Sequence, residues 1–538
     1  MHTKTMKKTT PAILAELSFF KGMYLLLIVL YLFPIEVSLA QKSTVSEKLI
    51  SIKTYDFDDP NPIATLASGK DHIYPYFQFD GYRRQPERKE WKVVTLENDY
   101  IQVQILPEVG GKVWGAIEKS TGEEFLYKNE VLKFRNIALR GPWTSGGIEF
   151  NFGITGHAPT TSTPVDYIIK EHSDGSVSCT IGAVDLPSGT AWRVIITLPA
   201  DKAYFETTSF QFNLSDIHQS NYVWQNAAIV ADQDLEFFYP GSYFVGHSGD
   251  VHPWPIHDDG RNLAMYKNNN FGSSKSYHVV GEADPGSEYF GAYWHEKEMG
   301  TGNWSYYGDA PGKKLWIWAQ SRSGGIWEDL LTDTDGQYVE IQSGRFFTQA
   351  AGNSPNTPFD YNALTPSTTK HWSEIWFPLV NTPGISSASQ KGVLHVQDEN
   401  QEITVTFMAL EPVDTSMRLY DESSDSGTPL ISYDISLKPL EKITRAIAYS
   451  ELNGFNKEDL KIVVGNQDLV YRLPTDTGKQ NGNKEQFRPD KTHQKLKPDT
   501  PAHYYNLGEN QYNHRQYREA AKNLKIAIHK DSALLPAY

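Results

Sequence analysis

In Trp192-Arg193-Val194-Ile195-Ile196-Thr197-Leu198, the residues Trp192, Val194, Ile196 and Leu198 alternate with Arg193, Ile195 and Thr197, the two-residue period of a half-buried strand. Ile101, Val103 and Ile105 alternate with Gln102 and Gln104 in the same way, as do Phe210, Phe212 and Leu214 with Gln211 and Asn213. Clusters of Gly, Pro, Asn and Asp separate such segments, and no long helical period interrupts them across residues 55–385. The pattern predicts a mainly β chain whose large domain is an antiparallel sandwich or barrel.

Tryptophan marks where that domain ends, because all 13 lie between Trp91 and Trp376. A second β unit is expected over 390–473, where Ile403, Val405 and Phe407 alternate with Thr404 and Thr406, and its size suits a small Ig-like sandwich. Residues 474–500 carry five lysines and only Phe487 and Leu496 as large apolar residues, too few to bury a core, so they read as a linker. Beyond them the period changes: Tyr517, Ala520, Ala521, Leu524 and Ile528 share one helical face, and Tyr504, Leu507 and Gly508 mark a preceding helix. Residues 501–538 therefore predict a helical hairpin. At the other end, Lys4, Lys7, Lys8 and Lys21 precede an apolar run, Met23 to Phe33, and Ser38-Leu39-Ala40 supplies small residues for cleavage. Residues 1–40 read as a signal peptide, with a periplasmic or secreted destination, or a membrane anchor if uncleaved.

Composition narrows the function classes. The 538 residues hold 50 Lys+Arg against 65 Asp+Glu, and a net charge of −15 with no basic stripe argues against nucleic acid as partner. A single cysteine, Cys179, excludes an intrachain disulfide and an all-cysteine zinc site. The high aromatic content, 13%, sets a folded chain apart from a disordered one.

Three segments concentrate the residue types that carry chemistry. The first is Leu106-Pro107-Glu108-Val109-Gly110-Gly111-Lys112-Val113-Trp114, whose paired glycines permit positive φ or close backbone approach. The second runs from Arg140 through Trp143, Ser145-Gly146-Gly147, Glu149 and Asn151 to His157 and Asp166. The third is Tyr338-Val339-Glu340-Ile341-Gln342-Ser343-Gly344-Arg345, where Glu340 and Gln342 point one way and Val339 and Ile341 the other.

Pro107 to Val113, followed by Gly122-Glu123-Glu124-Phe125-Leu126-Tyr127, resembles the opening of galactose mutarotase-like (aldose 1-epimerase-like) proteins, and Ser145-Gly146-Gly147 with His157 is similar to their Gly-Gly and His-Gly segment. The resemblance implies a β-supersandwich that binds sugars, covering residues 90–380. More narrowly, a large domain of this kind joined to a tail that resembles a tetratricopeptide repeat is similar to the bacterial family called domain of unknown function 5107. By the resemblance, Glu340 is the glutamate that takes the proton from an anomeric hydroxyl. The family's acid is a histidine in an Asn-His-x-Tyr-Phe-Asn segment, which here reads Asn221-Tyr222-Val223-Trp224-Gln225-Asn226. Tyr222 stands at the acid's position, and a phenol of pKa about 10 donates protons poorly at neutral pH.

The candidate catalytic set is Glu340, Glu149 and Tyr222. Arg140, His157, Asp166, Trp224, Asn226, Trp254, Gln342 and Arg345 form the candidate binding set. Glu340 with Glu149 is the pair a glycoside hydrolase would need. His247, His252 and His257 recur every five residues, a spacing that fits no compact zinc signature, so no metal and no cofactor are expected. Two functions follow: a carbohydrate-active enzyme working at an anomeric centre, glycosidase-like or epimerase-like, with Glu340 as base or nucleophile; or a non-catalytic glycan-binding module with a protein partner at the helical tail.

Overall fold

A computed structural model describes residues 42–57, 83–138, 141–153, 156–186, 188–246, 250–280, 288–346, 362–380, 382–424, 427–452, 455–473, 498–513, 516–532 and 534. The expected leader over 1–40, Arg140, His247 and nearly all of the expected linker lie outside the described residues. Among the described residues, no helix is long and apolar enough to cross a membrane.

The alternating segments form two large sheets. The first has twelve strands, running in spatial order from Val251–Pro253 through Tyr243–Val245, Lys275–Val280, Gly312–Ile317, Tyr338–Gly344, Trp224–Val230, Ile148–Asn151, Lys112–Glu118, Ile101–Leu106, Glu87–Glu97 and Thr44–Tyr55 to Val131–Lys133. The second has eight, from Leu235–Phe238 through Tyr289–Trp294, Met299–Trp304, Thr369–Val380, Phe205–Asn213, Thr190–Leu198 and Val177–Asp185 to Asp166–Glu171. The inner faces meet in one apolar core, in which Val94, Leu96, Val103 and Ile105 of one sheet join Val194, Ile196, Phe205 and Trp376 of the other. This is the expected supersandwich.

Polar side chains also cross that core. Glu374 accepts hydrogen bonds from Gln225 Nε2 (2.9 Å), Trp372 Nε1 (3.2 Å) and Asn303 Nδ2 (3.3 Å), tying the sheets together. Burial pushes its carboxyl from 4.5 up to about 7. A carboxyl raised on folding contributes stability below its unfolded pKa and loses it as pH rises through the folded value. Glu374→Gln is therefore expected to gain on the wild type by about 3 kcal/mol between pH 4 and pH 9. Urea unfolding of both proteins across that range checks it.

The second β unit is a sandwich of two four-stranded sheets. Leu394, Val405 and Phe407 from one sheet pack against Met417, Leu419 and Ile462 from the other. It docks on the large domain through Met408 and Leu410, which cluster with Tyr204, Tyr289 and Phe377. Ala203 N donates to Leu410 O (2.8 Å), and Glu411 pairs with Lys202 (2.7 Å) and Lys391.

Helices Pro501–Asn513 and Tyr517–Lys530 make the expected hairpin. Gly508 lets them cross closely, since a Cβ there would lie 2.7 Å from Leu524 Cγ. The covered strip differs from the expected face: Ala520 and Ala527 are buried, whereas Tyr517 is 58% exposed. One facing helix covers a narrower stripe than the five-residue face foreseen.

A ten-residue helix inside the large domain, Arg322–Leu331, departs from the all-strand expectation. Its last carbonyls are held by side chains: Lys133 Nζ donates to Asp329 O (2.9 Å) and Thr332 O (2.6 Å), Arg135 Nε to Leu330 O (2.9 Å), and Asn129 Nδ2 to Leu331 O (2.7 Å). Cations at a helix C-terminus also complement its dipole.

Candidate active site

Strand pairing places one set of side chains together. His278 pairs with Lys314, Lys314 with Gln342, Gln342 with Asn226 and Asn226 with Glu149, so these five form a row across the twelve-stranded sheet. In the next row Trp316 pairs with Glu340 and Glu340 with Ala228. Paired residues share a face, and residues two apart along a strand share it too. Glu149, Asn151, Trp224, Asn226, Lys314, Trp316, Glu340 and Gln342 therefore lie on the face turned away from the core.

Two loops complete the face, and the glycine motifs explain their positions. Gly147 has φ +65°, and a Cβ there would lie 1.9 Å from Val113 O, so only glycine allows this approach. Lys112, 1% exposed, donates to Thr144 O (2.9 Å), Thr144 Oγ1 (2.9 Å) and Gly146 O (3.0 Å), fixing the segment that follows Trp143. Gly110, at φ +67°, sits against Thr161, where a Cβ would be 2.6 Å from the Thr161 Cα. That contact seats the turn carrying His157. The Asn151 amide finishes the placement, accepting from Ala158 N (2.7 Å) while donating to Glu149 Oε1 (3.1 Å).

Glu149 is 2% exposed and saturated with donors: His157 Nδ1 (2.5 Å), Asn151 Nδ2 (3.1 Å) and Asn226 Nδ2 (3.1 Å) on Oε1, and Trp143 Nε1 (2.5 Å) on Oε2. Burial alone would raise its pKa, but the charge and hydrogen bond of His157, with Lys112 and Asn226, outweigh it and hold the carboxyl below its ordinary value. Burial likewise opposes an imidazolium at His157, and the Glu149 carboxylate outweighs it, so the His157 pKa is raised. Each partner thus favours the charged form of the other. His157 lies between the rings of Trp143 (5.3 Å) and Trp224 (5.0 Å), with a quarter of its side chain exposed.

Glu340, 5% exposed, accepts from Gln342 Nε2 (2.7 Å) and Tyr338 OH (3.3 Å). Burial raises its pKa, His157 and Lys314 pull it back, Glu149 pushes it further, and the net direction is upward. Lys314, with Glu340 as its acidic neighbour, is pushed down by burial to about 8, and its Nζ stands 5.7 Å from the rings of both Trp224 and Trp316. Asn226 Oδ1 and Gln342 Oε1 are buried acceptors with no partner among the described residues. Buried polar atoms are nearly always satisfied, so two orphans side by side mark where a ligand's donors fit.

Of the residues expected from sequence, Glu149, His157, Trp224, Asn226, Glu340 and Gln342 come together here. Others do not. Asp166 is exposed on the edge strand of the eight-stranded sheet. Trp254 is a core indole, its Nε1 donating to Tyr239 O (3.1 Å), rather than a rim platform. Arg345, one residue past the strand that carries Glu340, donates to Asp309 O (2.7 Å) and lies over Trp372 (5.6 Å). Tyr222 is 4% exposed and stacks on Phe346 (5.9 Å), while the groups that shift Glu340 are His157, Glu149, Lys314 and Asn226. Lys314, Asn151 and Trp143 belong to the site and were not in the expected set. A lysine pair, Lys313-Lys314, inside a buried strand was the available signal for the first.

The family profile named domain of unknown function (DUF5107) matches residues 69–379. Among solved structures, a tetratricopeptide-domain-containing protein from Parabacteroides distasonis is similar at 24% identity and a TM-score of 0.56, over 64% of this chain and 56% of that one. The chain thus spans little more than half the length of that protein, and the likeness shows a shared fold. Galactose mutarotase-like proteins from Clostridium acetobutylicum (12% identity, TM-score 0.39, 54% of this chain and 95% of that one) and Lactobacillus casei (9%, 0.38, 53% and 99%) also match. With the profile covering more than half of its residues, including every member of the buried Glu149–Glu340 face, this chain belongs to the DUF5107 family.

Proposed function

We propose that the Glu149–Glu340 face binds a sugar and acts at its anomeric centre by proton transfer, in the manner of an aldose epimerase. The observation that carries this reading is the pair of unpartnered buried acceptors, Asn226 Oδ1 and Gln342 Oε1, on the face that also carries His157 and Glu340 and is flanked by indoles. Hydroxyl groups supply donors to such acceptors, and the Trp224 and Trp316 rings suit the C–H faces of a pyranose.

In this reading Glu340 is the base: its raised pKa strengthens it as an acceptor for the anomeric hydroxyl proton. His157, kept protonated by Glu149, donates through Nε2 to the ring oxygen, and the C1–O5 bond opens as O1 becomes the carbonyl oxygen. Reclosure on the other face of C1 reverses both transfers. His157 thereby takes the role that the sequence put on Tyr222. Glu149 is a positioning residue, because its four hydrogen bonds leave it poorly placed as a nucleophile, and this favours epimerase-like over glycosidase-like chemistry. The leader-like residues 1–40 would deliver the activity outside the cytoplasm.

The test incubates the full chain with a panel of free aldoses and plant and microbial oligosaccharides, following anomeric exchange and released sugar by NMR. Accelerated exchange without cleavage is the expected result. Release of sugar would move the assignment to glycosidase chemistry, and binding without either reaction would leave a recognition module.

A further inference from the structure

We infer a second site, unrelated to the Glu149–Glu340 face: His252, His257 and Asp258 form a three-ligand site for a borderline divalent transition metal, with Zn²⁺ as the reference ion. The ligand atoms of these three residues all lie within 4.8 Å of one another. Two donors bound at 2.0–2.1 Å to one tetrahedral ion stand about 3.4 Å apart, so small side-chain rotations close the set. The sequence spacing matches no compact zinc motif because the chain doubles back here. Val251–Pro253 is an edge strand paired to Tyr243–Val245, and the following turn is pinned by His257 N donating to Arg261 O (2.9 Å) and Gly260 N to His257 O (2.8 Å).

The surrounding contacts separate ligand from support. Asp259 is occupied by Arg261, whose Nε donates to its Oδ2 (2.9 Å) and whose guanidinium lies over Phe271 (3.4 Å). Asp258 is instead turned outward with its side chain 68% exposed, its Oδ2 3.7 Å from His252 Nδ1. His257 Nδ1 is buried without a hydrogen bond, its nearest acid being Asp259 Oδ2 at 3.2 Å. An imidazole nitrogen left unsatisfied beside a second imidazole, 5.5 Å away between ring centres, is what a metal would complete. Two nitrogens and one oxygen favour zinc, nickel, cobalt or copper over calcium or magnesium, which prefer all-oxygen shells. Three protein ligands leave a fourth tetrahedral position for water, and the bound ion would clip the outermost strand of the twelve-stranded sheet to its turn.

Zn²⁺ titrated calorimetrically into chelator-treated full-length protein tests this, comparing wild type with Asp258→Asn and with His252→Gln/His257→Gln. The wild type is expected to bind one equivalent more than the double variant, and Asp258→Asn, a change at an exposed position that leaves the fold intact, to weaken that equivalent at least about tenfold, the loss that removing even an outer-shell partner brings. Equal stoichiometry in wild type and double variant, or an unchanged affinity in Asp258→Asn, overturns the site.

Discussion

Glu149→Gln is expected to lower turnover on the sugar substrate by about 10²-fold or more while leaving sugar binding largely in place. The carboxylate does two things that an amide cannot. Its charge holds the His157 proton, and its two oxygens accept four donors, His157, Asn151, Asn226 and Trp143. Glutamine offers one oxygen and turns an NH₂ group toward the indole or the imidazole, so one donor faces a donor, at a cost of about 1–3 kcal/mol in stability. The signature is in the pH profile. His157 must be protonated to donate, so wild-type activity falls as pH rises through its raised pKa. In Glu149→Gln that support is gone, and the alkaline limb shifts to lower pH. An unshifted limb would show that some other group donates the proton.

Gly147→Ala is expected to destabilise the protein by about 3 kcal/mol or more, among the largest effects a single methyl group can have. The new Cβ would stand 1.9 Å from Val113 O on a backbone at φ +65°. Neither neighbour can give: Gly147 N donates to Tyr127 O (2.8 Å), its own carbonyl accepts from Ala228 N (2.9 Å), and Val113 pairs with Ile148. Gly122→Ala is the control. Its φ is +78° but nothing lies within 4 Å of the added methyl, so only the backbone term remains, about 1–2 kcal/mol. Urea unfolding of both variants separates clash from conformation; equal losses would contradict the close approach at Val113.

The β class was legible because alternation along Ile101–Ile105 and Trp192–Leu198 reports a buried face directly. The site was half legible for the same reason. Glu340 and Gln342 share a face by parity, whereas Arg345 lies one residue past the strand end and turns to the Asp309 carbonyl, a contact that parity does not reveal. Glu149 and His157 are brought together by a turn whose closure depends on Asn151 and Gly110, partners that spacing does not reveal. Trp254 illustrates the opposite error: an indole among histidines and prolines looks like a rim, yet its N–H finds the Tyr239 carbonyl inside the core. Helix Arg322–Leu331 was not legible because it is short and carries two poor helix formers, Gly324-Gly325, in its first turn. Lys314, which was not in the expected set, lies buried beside two indoles.

The most direct test of the account takes the sugar on which the wild type turns over and measures anomeric exchange and binding side by side in Glu340→Gln. The substitution keeps the shape and the hydrogen-bonding reach of the side chain and removes only its ability to take a proton. Binding within a few-fold of wild type and exchange slower by about 10²–10⁴ are expected. Exchange at the wild-type rate in Glu340→Gln would contradict Glu340 as the base.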